Sequence, residues 1–190
     1  MNYFSNMVKD DKGYYMRELI INKDNLKSHD IQEMVIRVKA LMINEQNEIL
    51  LAYCDDDYQF PGGHLNEGED VCEGLIREVK EETGIESNKD DYYLFMVTKH
   101  YEKNYFRTGN NRLNIMFYFI YKKVPVIDDS NIDISNYERK NGFKLCFVSM
   151  DDVEDLLIDH TRKFPRFKDI AYEMLPVLEE YKNNYYNNTF

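Results

Sequence analysis

Gly63-His64-Leu65-Asn66-Glu67-Gly68-Glu69, then seven residues, then Arg77-Glu78-Val79-Lys80-Glu81-Glu82-Thr83-Gly84-Ile85 is the stretch on which the reading of this chain turns. Asp70 can cap a helix beginning near Val71, and Gly84 suits its left-handed stop, so the region reads as loop, helix, loop. At about 100° per residue, Leu75, Val79, Cys72, Thr83 and Ile76 share one face, while Glu78, Glu81 and Glu82 occupy the neighbouring one. Three carboxylates at i, i+3 and i+4 repel by about 0.2–0.5 kcal/mol per pair in an isolated helix, a cost that a divalent cation reverses. Hard oxygen donors point to Mg²⁺, with Mn²⁺ as the alternative. Arg77 stands one turn before Glu81 and can hold that carboxylate in position. Gly74 falls within the acidic arc. Its missing side chain either leaves room for metal and phosphate or is one tolerated helical glycine, at a cost of about 1 kcal/mol.

Outward from this stretch the pattern changes to strands. Val35, Arg37, Lys39 and Leu41 alternate with Met34, Ile36, Val38, Ala40 and Met42, which predicts a strand over about 33–43. A polar turn follows, and Ile49 to Cys54 then reads as a buried strand paired back on the first, ended by Asp55-Asp56-Asp57. Tyr93 to His100, Asn114 to Tyr121 and Phe143 to Val148 are rich in aromatic and β-branched residues and predict three more. Ser149 to Asp152 reads as a capping box opening a helix through Ile158. A last helix is expected over about 167–181, interrupted or kinked by Pro176. Residues 1–32 read as an N-terminal extension with a strand or arm near Tyr14 to Ile21, residues 33–182 as one domain, and 183–190 as a frayed tail. Strands interspersed with isolated helices indicate an α/β or α+β domain with a mixed sheet.

The composition, with 43% hydrophobic and 14% aromatic residues, is that of a folded protein. A formal net charge of −11 argues against general nucleic-acid binding, which depends on Lys and Arg neutralising phosphates. Locally, Lys99, Lys103, Arg107, Arg112, Lys122 and Lys123 against Glu102 form a basic segment, either the rim of a solvated strand pair or a phosphate site. Cys54, Cys72 and Cys146 lie far apart with no C-x-x-C spacing, which fits a reducing, cytoplasmic setting. No basic-then-apolar leader opens the chain, and no run approaches the roughly 18 apolar residues of a membrane span.

Gly63, Glu69, Arg77, Glu78, Val79, Glu81, Glu82, Gly84 and Ile85 match G-x5-E-x7-R-E-U-x-E-E-x-G-U, where U is aliphatic. This is the Nudix box, and the chain resembles the Nudix hydrolase family over about residues 33–160. Asn66 departs from the Glu-Pro-Gly-Glu often found before the helix, which leaves Glu69 intact and removes any acidic role at position 66. The resemblance implies a Nudix-like α/β/α sandwich around a mixed sheet. It also implies metal-dependent hydrolysis of a nucleoside diphosphate linked to another group, with nucleoside triphosphates or ADP-ribose-like compounds as the first substrates to consider. Carried over, Glu78, Glu81 and Glu82 ligate Mg²⁺, with the Gly63 carbonyl as a further ligand, and Glu78, Glu82 and Arg77 serve catalysis. Glu138, in the polar loop before Phe143, reads as a solvated acid or as an additional base or ligand. Arg37 reaches a phosphate or pairs with an acid on its own face. Arg112 belongs to the same substrate set, His64 follows the first box glycine toward substrate, and Phe60 stacks a base or packs in the core. His29, His100 and His160 read as structural. The competing class is a catalytically silent Nudix-fold nucleotide-binding module; an isomerase of the same fold is a distant third by analogy. The extension offers a route to a homodimer.

Overall fold

The computed structural model describes residues 3–9, 15–165 and 168–186. Its elements in chain order are β1 (Tyr3–Lys9), β2 (Tyr15–Ile21), β3 (Glu33–Leu41), β4 (Glu48–Cys54), β5 (Asp57–Gln59), α1 (Val71–Thr83), β6 (Tyr92–Glu102), β7 (Arg112–Tyr121), α2 (Asn136–Lys140), β8 (Lys144–Ser149), α3 (Val153–Lys163) and α4 (Lys168–Asn184). A five-stranded mixed sheet runs β1-β2-β6-β7-β3, and an antiparallel three-stranded sheet runs β5-β4-β8. β2 lies parallel to β6 and β3 parallel to β7.

Period-two alternation divides the core between two helical layers. On β7, Met116, Tyr118 and Ile120 face a cluster completed by Val153 and Leu157 of α3 and by Met174, Val177 and Leu178 of α4. Phe119 and Tyr121 face the opposite cluster with Leu75 and Val79 of α1. The expected α/β/α sandwich is therefore present, and its burial of two sheet faces is the main source of stability. No helix among the described residues is long and apolar enough to cross a membrane.

Several local expectations are corrected. β4 does not pair back along β3; the two meet only where the Leu50 amide donates to the Met42 carbonyl, at 2.8 Å, and at the Ile43–Ile49 bridge. The reason is competition for edges. β7 takes one edge of β3, and residues 61–65 take the other through Val38 N–H to Gly63 O, Ala40 N–H to Pro61 O and Leu65 N–H to Ile36 O. β4 instead pairs with β5 and β8. Asp55 and Asp56, both at positive φ, form the two-residue turn that sends the chain back as β5. Ser149 makes no capping box: its hydroxyl accepts from the Asp151 amide, and Asp152 caps α3 without a side-chain bond. α4 continues through Pro176 to Asn184, while residues 187–190 of the expected tail lie outside the described residues. Tyr14, the start of the strand expected before β3, lies outside them too; the rest of that stretch is β2, whose Leu19 and Ile21 are buried in the core.

Candidate active site

The strand-like segment 61–65 and α1 meet at backbone distance. The Gly62 amide donates to the Glu82 carboxylate at 2.8 Å, and its carbonyl accepts from the Lys39 ammonium. Gly62 has φ +126°, and a Cβ there would collide with the Val38 carbonyl, so this position requires glycine. A Cβ on Gly63 would collide with the Glu78 carboxylate. The Gly63 carbonyl, expected as a metal ligand, accepts from the Val38 amide at 3.0 Å, which fixes it against β3 and leaves its second lone pair for a cation.

Both ends of α1 are as expected. Asp70 accepts from the Cys72 and Glu73 amides, and Gly84 closes the helix at φ 72°. Gly74, however, serves neither expected purpose. It is buried, and a Cβ would collide with the Leu65 side chain, so its smallness seats the loop on the helix.

Arg77 organises the acids around it. Its Nε and Nη2 hold Glu69 at 2.7 and 2.9 Å, its Nη1 reaches Glu78 at 2.8 Å and Glu81 at 3.2 Å, and Nη2 also donates to the His64 carbonyl at 3.0 Å. The hold on Glu81 expected from helical spacing is present, and Glu69 is a further and closer partner. The hydrogen bond from Arg77 holds the Glu69 carboxyl down at about 2 despite partial burial. The same bonds hold the Arg77 guanidinium well above its usual range. Burial raises Glu78, with Arg77 opposing, and raises Glu82 more strongly, with Lys39 opposing.

Glu78 and Glu82 line a cavity of about 1000 Å³, while Arg77 and Glu69 stand behind its wall. Glu78, Glu81, Glu82, Glu138, Gly63, His64, Arg37 and Arg112 all contribute to its wall. Glu138 lies in the single-turn helix α2, not in a loop, and its carboxylate accepts from the Ser135 amide and hydroxyl at 2.7 and 2.6 Å. Arg37 donates from Nε to His64 Nε2 at 3.0 Å, which requires a neutral imidazole; burial, then the charge of Arg37, pushes His64 down to about 4. Arg112 pairs with Glu33 at 3.2 Å and lies over the Tyr105 ring at 4.0 Å. Lys99 and Lys123 are drawn away to Glu18 and Asp91, so the basic segment is not one phosphate surface. Phe60 is buried, edge-on to Tyr118, and faces a second, smaller space.

Lys39, Asp57, His100, Glu102 and Glu173 also line the cavity and were not anticipated as site residues. Lys39 carries a readable signal, since it and Arg37 are cations two positions apart on a strand face that otherwise enters the core. His100 was read as structural, and its pairing with Glu173 of α4 joins elements far apart in the chain.

The donor set suits a divalent cation: three hard carboxylates edge one cavity, and burial opposes charge on two of them. Yet among the described residues no three His, Cys, Asp or Glu side chains converge into a ready-made cage. Arg77 stands between Glu78 and Glu81, and Glu82 is turned onto Gly62.

The family model described as NUDIX domain matches residues 34–169. Among curated proteins, Nudix hydrolase 2 of Arabidopsis thaliana is 36% identical over 70 residues, covering 33% of this chain and 25% of that protein. Nudix hydrolase 8 of the same plant is 31% identical over 67 residues, covering 32% of this chain and 18% of that one. The matches thus span a quarter or less of these relatives' length. Among solved structures, the E. coli ORF135 protein superposes with a TM-score of 0.50 at 18% identity, over 83% of this chain and 94% of that one, a likeness of fold. The MutT protein from Methanosarcina mazei Go1 is 24% identical at a TM-score of 0.43, over 70% and 94%.

Proposed function

The chain belongs to the Nudix family, and from that premise we propose that it is a Mg²⁺-dependent hydrolase cleaving the pyrophosphate of a nucleoside diphosphate joined to a second group. The observation that carries the reading is the meeting of Glu78 and Glu82 with the Gly62–Gly63 backbone at the wall of one large cavity. Glu78, Glu81 and Glu82 would hold the cation, with Mn²⁺ as a substitute. Bound there, it would polarise the phosphoryl oxygens and acidify a water.

The remaining work falls to the chain's own residues. Arg77 fixes the spacing of Glu69, Glu78 and Glu81, and would yield part of its hold on Glu78 and Glu81 to a cation held there. Lys39 fixes the Gly62 peptide on which Glu82 rests. His64 and Arg112 face the substrate phosphates, and Arg37 faces the substrate where the two spaces meet. The water's proton passes to a carboxylate of this wall, Glu82 or Glu138, and separate Gln substitutions tell which.

One observation favours a second reading, a binding module without turnover: Arg77 occupies the space between Glu78 and Glu81. Incubating the purified protein with Mg²⁺ and a panel of nucleoside diphosphate derivatives separates the two. Two phosphorylated products support the hydrolase; retained binding of the same compounds with no product supports the module.

A further inference from the structure

The smaller space, about 150 Å³, opens from the large cavity between β7 and α4, and the two share Arg37, Lys39, His64 and Glu173 in their walls. Its sides are apolar: Phe60, Met116 and Tyr118 from the sheet side, Ile170 and Met174 from α4. An engineered apolar protein cavity of ~150 Å³ takes up one benzene ring, so this space matches a single six-membered ring. The rest of its lining is polar: Arg37, Lys39, Gln59, His64 and Glu173. Glu173 comes from α4, beyond the residues that the family match covers.

The hydrogen-bonding capacity left over at the rim is specific. His100 Nδ1 holds one oxygen of Glu173, Oε1, and Oε2 makes no hydrogen bond among the described residues, although the side chain is only 13% exposed. Arg37 donates Nε to His64 and Nη1, weakly at 3.5 Å, to Asn114, which leaves Nη2 uncommitted among the described residues. Lys39 and Gln59 are satisfied, Lys39 by Gln59 and the Gly62 carbonyl, Gln59 by Lys39 and Asp57. A half-hidden carboxylate oxygen and a guanidinium N–H without partners form an incomplete network, and a ligand that supplies one donor and one acceptor completes it.

We propose that this side pocket recognises the base of the substrate, and that the base is a pyrimidine carrying an amino group, the cytosine pattern, with the amino group on Glu173 Oε2 and a ring acceptor on Arg37. The assignment rests on the hydrolase reading above, since it supplies the nucleoside part of that substrate. Uracil offers a carbonyl oxygen where cytosine has its amino group, and so sets an acceptor against a carboxylate. Purines present the same edge on two fused rings, more than the pocket encloses. His100 is a positioning residue that fixes the Glu173 rotamer.

The test is a matched series of nucleoside diphosphate glucoses with cytidine, uridine and adenosine, together with Mg²⁺-free calorimetry of the plain nucleoside diphosphates. The cytidine compound is expected to exceed the uridine one by about ten- to a hundredfold in kcat/KM, since a buried polar site discriminates through its unpaired groups. Cytidine diphosphate should bind more tightly than uridine diphosphate in chelator. Glu173→Gln offers an amide N–H in place of an acceptor, so it should lower the cytidine value and raise the uridine one; a merely structural change would lower both together. Equal binding of cytidine and uridine diphosphates by the unaltered protein, or preference for adenosine, overturns the assignment whether or not the variant folds. Turnover without base preference removes this pocket and leaves the hydrolase standing. Selective cytidine diphosphate binding with no turnover of any compound does the reverse.

Discussion

Glu82 and Gly62, twenty positions apart, are joined by a 2.8 Å hydrogen bond from backbone amide to carboxylate, so the acidic face of α1 is tied directly to the loop that lines the cavity. The amide oxygen of a glutamine can accept that bond in place of the carboxyl oxygen. Glu82→Gln is therefore expected to keep stability within about 1 kcal/mol, because burial already disfavours the charged carboxylate and the amide oxygen retains the hydrogen bond. It should lower kcat by about 100-fold or more. Paired melting curves and steady-state kinetics check this; normal turnover by a well-folded Glu82→Gln protein would take Glu82 out of the mechanism.

Gly74 provides a test with an unusual sign. In an exposed helix interior, glycine to alanine stabilises by about 1 kcal/mol. Here the added methyl meets Leu65, so Gly74→Ala should destabilise by about 1–3 kcal/mol, as overpacking does. Combining it with Leu65→Ala should give less than the sum of the separate losses, measured by urea unfolding. Additive losses would mean that the two side chains do not compete for the same space.

Acid should loosen the loop before α1. The Glu69 carboxyl is held at about 2, against an ordinary value of 4.5. A depressed carboxyl contributes stability that is present above the unfolded value and is lost as pH falls through the folded one. Between pH 4.5 and about 2 the parent protein should therefore lose stability that Glu69→Gln never had, and the two pH profiles should converge at the acid end. Parallel profiles across that window would contradict the Arg77–Glu69 linkage.

Asp57 behaves in the opposite sense. Burial pushes it up to about 6, with the Gln59 hydrogen bond opposing, against an ordinary 3.8. A raised carboxyl contributes stability that is fully present below the unfolded value and is lost as pH rises through the folded one. Asp57→Asn should flatten the stability profile between pH 3.8 and about 6 and raise stability above it, as denaturant titrations at fixed pH can show. A variant that keeps the parent's decline would place that decline on another group.

What could be read without coordinates follows the range of the interactions. Asp70 and Gly84 act within a turn of their own positions, and the acidic face is fixed by helical periodicity alone, so α1 was legible. The strand segments were legible from alternation, but their partners were not. β3 had β4 next in sequence, and lost it because β7 and residues 61–65 filled both of its edges. Ser149 and Asp152 have the residue types of a capping box, and a nearby turn captures the serine hydroxyl first. Gly74 could not be interpreted because the side chain it accommodates, Leu65, comes from the preceding loop. Glu173 carries no local signal at all, since its meaning depends on His100 and on a pocket whose walls come from four separate stretches of chain.

The two parallel pairings bear on how this chain emerges from a ribosome. Glu33 finds its neighbour at Arg112, so β3 has no sheet partner until more than half of the polypeptide has been made, and the β1–β2 pair joins the sheet only when Arg17 meets Met96. Contacts of such separation delay closure of the sheet and leave early strand edges uncovered meanwhile. β4 and β5, joined by a two-residue turn, can pair during that wait, while β4 takes its other neighbour, β8, later still. The hydrophobic strand Met34–Met42 must therefore stay soluble as nascent chain, and the cations at Arg37 and Lys39, which later face the cavity, interrupt it at alternate positions as charges that discourage premature self-association.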